Sequence, residues 1–273
     1  MSTNFGSGLH VAPGRAVDTS SYDRYVGRWS RLFVPALLAA AEVAPGCRVL
    51  DVSTGTGEAA LMTLPIVGTS GLVIGADISH AMLEAARDRL KQPSFWPVAA
   101  DGQRLPFRDR SFDAVICQLG LQFFPDPALG LLEFRRVVRL DGCAAICVIS
   151  TPNRAPMWGI LADALSRLLP EQRSTLHLSF ALADPKRLER LLASAGFRDI
   201  RVDREERKDI IESLDEYWAP IEAGTGSIPQ AYLALREADR RSVRDEVTAR
   251  LSQFESNGRL SMSVEMLIGR GRA

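Results

Sequence analysis

Several features that would fix a protein class are missing from this 273-residue sequence. It has no run approaching the roughly 20 consecutive apolar residues that a membrane-spanning helix needs. Its first ten residues lack a basic region followed by an apolar stretch, so we expect no secretory signal. Lys+Arg and Asp+Glu each number 33, and without a basic surplus we expect no nucleic-acid partner. These absences predict a globular cytoplasmic protein, and they leave its oligomeric state open, a homodimer included.

Cysteine and histidine are also scarce. The four cysteines form no CxxC pair, and the three histidines show no spacing typical of a zinc site. Cys117, Cys143 and Cys147 lie in or beside apolar runs, where a reduced thiol behaves as a small hydrophobic side chain. The sequence therefore predicts reduced cysteines and no metal site.

What is present is an alternation of short apolar runs with helical patterns. The predicted strands are 48–52, 72–76, 95–99, 112–119 and 143–150. The helical patterns between them are 58–64, 80–91 and 127–139. Strands that are apolar throughout and alternate with helices are typical of a parallel sheet covered on both faces. Right-handed crossovers make this a doubly wound α/β sheet, in which ligands bind beyond the carboxyl ends of the strands.

The two ends of the chain are organised differently. Residues 1–21 are rich in Gly, Ser, Thr and Asn and predict a mobile arm, followed by one domain over 22–273. A helical pattern with one apolar face, 22–41, opens that domain. The remaining predicted elements are helices at 153–169 and 185–195 and strands at 197–204 and 260–269. The candidate helical cap insertions over the strand ends are 151–184 and 212–258.

The most informative stretch follows the first predicted strand and reads Asp51-Val-Ser-Thr-Gly55-Thr-Gly57. The two glycines let the backbone turn sharply and approach a ligand closely, and the following helix presents free N–H groups. Asp51, at the carboxyl end of the strand, would repel a pyrophosphate but would suit a cation. The loop therefore favours a ligand that carries an ammonium and a sulfonium.

Three further strand ends carry polar side chains. Asp77 ends the second strand twenty residues after Gly57, where a carboxylate can accept hydrogen bonds from both hydroxyls of a ribose. Asp101 ends the third strand and could accept a hydrogen bond from an adenine amino group, and Gln118 ends the fourth. The spacing of Asp77 alone does not distinguish a nicotinamide dinucleotide from S-adenosylmethionine, and this carboxylate could instead simply cap the next helix.

Four motifs in order carry a family resemblance. They are Asp51…Gly55-x-Gly57, Asp77-Ile-Ser-x-x-Met82, Asp101…Leu105-Pro-Phe107 and Ser111-Phe112-Asp113. Together they resemble the class I S-adenosylmethionine-dependent methyltransferases, in the branch with the ubiquinone and menaquinone biosynthesis enzymes and many small-molecule methyltransferases. The resemblance covers about residues 22–205, and the last two strands fit the family's reversed hairpin. It implies a Rossmann-like, mostly parallel seven-stranded sheet, S-adenosyl-L-methionine as cofactor, and in-line methyl transfer to a small-molecule acceptor.

The resemblance also implies roles for individual residues. The implied cofactor-binding residues are Tyr25, Arg31, Asp51, Ser53, Gly55, Gly57, Asp77, Ile78, Met82, Asp101, Gly102 and Gln118. The loop after the first strand would hold the methionine portion, Asp77 the ribose and Asp101 the adenine. The amino-terminal helices, 22–44, would form a lid, with Arg31 meeting the cofactor carboxylate. The alternative is an amphipathic helix packed on the sheet with Arg31 in solvent.

One position departs from the family pattern. Ser53 stands where the family commonly has a glycine. We expect the serine to make this turn with a negative φ and to add bulk beside the methionine portion. Since Gly55 and Gly57 remain, the expected consequence is weaker cofactor binding rather than its loss.

No residue stands out as a general base. His177 lies between the fifth strand and helix 185–195, where a substrate pocket would form, and is the candidate catalytic residue; an ordinary loop histidine is the competing interpretation. Two other functions stay open. One is a protein of this fold that binds the cofactor without methylating, such as a cyclase or a regulatory protein. The other is a nicotinamide-dependent oxidoreductase, which Asp51 and the missing third glycine disfavour.

Overall fold

The structure is a computed structural model that describes residues 26–224 and 227–273. The predicted arm, 1–21, and Tyr25 lie outside the described residues. The strands are β1 (Arg48–Val52), β2 (Leu72–Asp77), β3 (Phe95–Ala99), β4 (Phe112–Gln118), β5 (Val138–Ile149), β6 (Arg198–Ile211), β7 (Glu255–Ser256) and β8 (Arg259–Arg272). The helices are α1 (Arg28–Ser30), α2 (Val34–Ala40), α3 (Glu58–Val67), α4 (His80–Leu90), α5 (Pro127–Val137), α6 (Pro156–Leu168), α7 (Arg173–Leu176), α8 (Pro185–Ser194), α9 (Leu214–Glu222), α10 (Ser227–Leu233) and α11 (Glu237–Leu251).

All strands belong to one sheet, in the order β3-β2-β1-β4-β5-β8-β6, with β7 paired to β8. The first five strands in the chain run parallel, and β8 is antiparallel to both β5 and β6. The strand order reverses between β1 and β4. Because a crevice opens at the carboxyl ends of the strands at such a reversal, this topology places the ligand site above β1 and β4.

The central strands β1, β4 and β5 form because they are apolar on both faces. Val49, Leu50 and Val52 of β1 are each at most 1% exposed. One face of the sheet packs against α2, α3, α4 and α6, and the other packs against α5 and α8. Helices on both faces confirm the doubly wound α/β prediction. In the described part of the chain, no helix is long and apolar enough to cross a membrane, and no group of metal-ligating side chains is found.

The carboxyl-terminal strands differ from the prediction in length. β6 and β8 run to Ile211 and Arg272, well past the predicted ends at 204 and 269. β6 is the outermost strand and pairs only with β8, so its exposed positions carry charged residues that hide the strand pattern. The two-residue β7 raises the strand number from seven to eight.

The predicted amino-terminal helix is interrupted. Within the described residues it consists of α1, a 3-10 turn over Arg31–Phe33, and then α2. Pro35 stands in the first turn of α2, where its missing N–H is tolerated, but it cannot supply the hydrogen bond that would continue a helix from α1.

Candidate cofactor cleft

A cleft lies at the strand-order reversal and consists of two adjoining chambers. The larger chamber, of about 690 Å³, runs from the end of β1 across β2 to the segment after β3. The smaller chamber, of about 400 Å³, lies between the loop after β1 and the amino-terminal segment. The residues common to both chambers are Ser53, Gly55, Gln118 and Leu119. One elongated molecule could therefore occupy both chambers.

Asp51 is a buried carboxylate on the wall of the smaller chamber. Its side chain accepts a hydrogen bond on Oδ2 from Thr54 Oγ1 at 2.7 Å, whereas Oδ1 has no hydrogen-bond partner. Burial raises the pKa of Asp51 to about 7, although the bond from Thr54 opposes the shift. A buried carboxylate with one unsatisfied oxygen is suited to a cationic group, which would pair with that oxygen and restore the lower pKa.

Asp77 lines the larger chamber and also fixes its shape. Its carboxylate accepts hydrogen bonds from the backbone N–H groups of Gly55 and Ser79, each at 2.9 Å. Burial raises the pKa of Asp77, against these two bonds. Ser79, rather than Asp77, caps α4 by accepting from the N–H of Met82. Each oxygen of Asp77 can accept a further hydrogen bond, so the carboxylate suits a pair of hydroxyls.

Ser53 does not adopt the expected negative φ. Its φ is +60°, in the left-handed region that favours glycine, so the prediction was wrong on this point. The backbone of this loop thus has the conformation that a glycine would give it, and the serine is held in a strained left-handed conformation. A Cβ on Gly120 would come within 2.4 Å of the Ser53 side chain, so Gly120 leaves the room that the serine needs.

Gly55 and Gly57 have different neighbours. Gly55, with a φ of +54°, borders both chambers and faces open space. Gly57, with a φ of +82°, borders neither, and a Cβ there would come within 2.8 Å of Leu90 Cδ1. Position 57 therefore has no room for a side chain beside α4, and the cofactor contact of its backbone stays a prediction.

The segment after β3 supplies one predicted wall residue and not the other. Gly102 lines the larger chamber, and a Cβ there would lie 2.3 Å from Phe124 Cζ. Asp101 is absent from the described lining and accepts hydrogen bonds on Oδ1 from the backbone and side chain of Gln103. Ile78 and Met82, two of the predicted cofactor-binding residues, line the same chamber.

The amino-terminal segment borders the smaller chamber. Gly27 and Ser30 line it, and the carbonyl of Ser30 accepts a 2.7 Å hydrogen bond from Gln118 Nε2. Arg31 Nε lies 3.3 Å from Glu58 Oε1, and Glu58 also lines the chamber. Arg31 thus lies beside the cleft and pairs with Glu58, a carboxylate that sequence reasoning did not select and that also pairs with Arg89 at 2.7 Å. The position of Glu58 directly after the glycine loop could have identified it as a residue of the cleft.

His177 lies outside the described walls of both chambers. It follows α7, its Nε2 is 3.6 Å from Asp163 Oδ1, and its ring is near Phe180. Burial lowers its pKa, against the attraction of Asp163. The aromatic pair Phe123 and Phe124, by contrast, reaches the larger chamber together with Leu119 and Gly120.

Comparisons with known proteins agree with this geometry. A family model described as a methyltransferase domain matches residues 50–146. The chain is 35% identical over 167 residues to a demethylmenaquinone methyltransferase of Corynebacterium kroppenstedtii, spanning 57% of this chain and 70% of that protein. A protein of the same name from Mycolicibacterium vanbaalenii is 33% identical over 184 residues, spanning 63% and 77%. The ubiquinone/menaquinone biosynthesis C-methyltransferase UbiE of Xanthomonas campestris is 39% identical over 126 residues, spanning 45% and 48%.

Solved structures match the fold. A methyltransferase-like protein of Bacillus halodurans superposes with a TM-score of 0.60 at 21% identity, covering 88% of this chain and 97% of that one. The [4+2]-cyclase SpnF superposes with a TM-score of 0.53 at 17% identity, covering 88% and 81%. At these identities the superpositions establish the arrangement of strands and helices.

Proposed function

Because the chain belongs to the class I S-adenosylmethionine-dependent methyltransferases, in the branch of the demethylmenaquinone and UbiE enzymes, we propose that its acceptor is a quinol that is methylated on a ring carbon. The chain is a methyltransferase that uses S-adenosylmethionine and acts on a small molecule. The names of these relatives support a quinol as that molecule. When bound, the cofactor supplies a methyl group that is activated by its sulfonium.

The unpaired Oδ1 of Asp51 carries the assignment of the cofactor to this cleft. We assign the smaller chamber to the methionine portion, where Asp51 would pair with the ammonium. The larger chamber would hold the adenosine, with Asp77 accepting from the ribose hydroxyls and Ile78 and Gly102 against the adenine. Ser53 and Gln118, which border both chambers, would lie near the sulfonium.

Buried aromatic side chains connect the predicted cap segments with the amino-terminal segment. Trp158 of α6 packs edge-on against Trp29 with ring centroids 4.0 Å apart. The hydroxyl of Tyr217, on α9, donates a 3.0 Å hydrogen bond to the carbonyl of Met157. We propose that the amino-terminal segment and the caps 151–184 and 212–258 enclose the acceptor and exclude water.

A direct assay tests the acceptor class. The protein is incubated with S-adenosylmethionine and a short-chain 2-prenyl-1,4-naphthoquinol kept reduced, and the products are separated chromatographically. We expect equal amounts of S-adenosylhomocysteine and ring-methylated quinol. Turnover on amine or thiol acceptors with none on the quinol would refute the quinol proposal. A cofactor that binds but is never consumed would instead favour the cyclase or regulatory alternative, which the SpnF fold match keeps available.

Replacing Asp77 by alanine is expected to weaken cofactor binding. The loss of two charge-assisted hydrogen bonds, each contributing about 1.5–3 kcal/mol, should raise the Kd for S-adenosylhomocysteine at least about 100-fold. Calorimetric titration measures the change. Asp113→Ala is the matched control, because Asp113 accepts from the N–H of Arg48 at the opposite end of the sheet. Equal affinities for the two variants would contradict the assignment of Asp77.

A further inference from the structure

The turn that follows β4 contains a buried side-chain amide without hydrogen bonds. Gln122 lies in the 3-10 turn Leu121–Phe123 and is only 2% exposed. Neither its Oε1 nor its Nε2 has a partner, and it is the only buried amide in the described residues for which both atoms are unpaired. Gln103, which is similarly buried, accepts from the N–H of Asp126 and donates to Asp101.

Leaving both atoms of a buried amide unpaired destabilises the folded protein, because water would bond to both atoms in the unfolded chain. A side chain of the same shape without polar atoms, such as methionine, would avoid this penalty. Gln122 therefore lowers the stability of the folded protein in a way that packing does not explain. A ligand that forms hydrogen bonds with the amide would remove this destabilisation.

The position of the turn indicates which ligand this is. Its last residue, Phe123, lines the larger chamber, and Gln118, four residues before Gln122, borders both chambers. On its other side the turn packs against Leu178–Phe180, in the predicted cap 151–184. The turn that carries Gln122 thus separates the cofactor cleft from a cap segment, and Gln122 itself is buried behind Phe123 rather than on the described wall of either chamber.

We propose that Gln122 is an acceptor-positioning residue, whose amide forms hydrogen bonds with an oxygen on the acceptor ring next to the carbon that is methylated. This inference rests on the proposed function, since it requires an acceptor with a hydroxyl or an ionised oxygen. The amide has two donors and one acceptor group and is neutral at all relevant pH values. It orients the ring and donates to the oxygen that shares its charge with the reacting carbon, but it takes no proton.

The test compares Gln122→Met with Gln103→Met in the full chain. For Gln122→Met we expect a higher melting temperature, an unchanged Kd for S-adenosylhomocysteine, and a KM for the short-chain naphthoquinol raised about tenfold, the effect of losing one or two hydrogen bonds. Gln103→Met should instead lower the melting temperature, because it removes bonds that are made. Gln122→Leu repeats the measurement with a second apolar side chain.

Three outcomes would overturn the proposal. A lower melting temperature for both Gln122 variants would show a structural role, and a weakened Kd for S-adenosylhomocysteine would show that the amide serves the cofactor. An unchanged KM would show that it does not touch the acceptor. If the unmodified protein gives no turnover on the quinol, the proposed function fails; if it does turn over and the variants match it, only the role of Gln122 fails.

Discussion

Asp51→Asn is expected to make the protein more stable and unable to retain its cofactor. Burial raises the pKa of Asp51 to about 7 from an ordinary value of 3.8, so keeping the side chain ionised at pH 8 costs the folded state on the order of 4 kcal/mol. Asparagine has the same shape and can still accept from Thr54. Its unpaired amide N–H offsets part of the gain, which leaves about 1–3 kcal/mol, measurable by urea unfolding.

The stability that Asp51→Asn adds should increase as the pH rises. The folded protein keeps the Asp51 proton up to about pH 7, whereas in the unfolded chain this carboxyl has its ordinary pKa of 3.8. Unfolding therefore becomes easier as the pH rises between these values, by up to about 1.4 kcal/mol per unit. Asp51→Asn removes this contribution. The difference in unfolding free energy between Asp51→Asn and the unmodified protein should be largest above pH 7 and should decline as the pH falls toward 4.

Cofactor affinity should change in the opposite direction. The ammonium of the cofactor would pair with ionised Asp51 in a buried chamber, and removing one partner of such a pair typically costs about 2–5 kcal/mol. We expect the Kd for S-adenosylhomocysteine to rise at least about 30-fold at pH 8. In the unmodified protein, affinity should fall as the pH drops below 7, because Asp51 then binds a proton instead.

Asp113→Asn is the control for both measurements. Asp113 lies at the amino-terminal end of β4, where it accepts from the N–H of Arg48 and pairs with Arg139. Its replacement should lower stability and leave the Kd unchanged. A Kd for Asp51→Asn equal to that of the unmodified protein would exclude Asp51 from the cofactor site. An unfolding free energy that falls at pH 8 would mean that the carboxylate is satisfied in the folded state.

The cleft could be located from the sequence because the patterns that mark strand ends lie within short stretches of the chain. Apolar runs fix where parallel strands end, and polar residues such as Asp51, Asp77 and Gln118 stand at those ends. The carboxyl ends of neighbouring parallel strands meet at one edge of the sheet, so residues far apart in sequence share one crevice. The strand-order reversal between β1 and β4 then decides which strand ends form it.

The features that were missed depend on contacts between distant segments. Gly57 looks like a ligand-loop glycine in sequence, and only the folded chain shows that a side chain there would also meet Leu90 of α4. Glu58 lines the smaller chamber and pairs with Arg31, a contact that depends on where the distant amino-terminal segment packs. The sequence also does not show that the Gln122 amide lacks hydrogen bonds. This depends on whether any neighbouring segment places a donor or an acceptor beside it.

The side chain that position 53 carries limits the size of the side chain that position 120 can carry. Gly120 has a φ of −99°, which any residue adopts, so no backbone constraint requires a glycine there. The obstacle is steric, because a Cβ would lie 2.4 Å from both Cβ and Oγ of Ser53 and 3.0 Å from the Cys117 thiol. Gly120→Ala should therefore destabilise the protein by about 1–3 kcal/mol through overpacking.

Ser53→Gly should relieve two constraints at once. It removes the left-handed strain of a residue with a φ of +60°, about 1–2 kcal/mol, against an entropic cost of about 0.5–1 kcal/mol for glycine. The single variant is expected to be close to neutral or slightly stabilised. In its background, Gly120→Ala no longer meets the serine, so the double variant should recover most of the lost stability.

A double-mutant cycle measured by urea unfolding gives the coupling between the two positions, expected to be about 1–3 kcal/mol in favour of the double variant. Gly102→Ala is the control, because its Cβ would clash with Phe124 and not with Ser53. Ser53→Gly should leave that destabilisation unchanged. If the effects of Ser53→Gly and Gly120→Ala simply add, the serine is not what keeps position 120 small. If they couple, a serine at the turn after β1 is tolerated because position 120, two residues after β4, has no side chain, and a larger residue at 120 requires a glycine at 53.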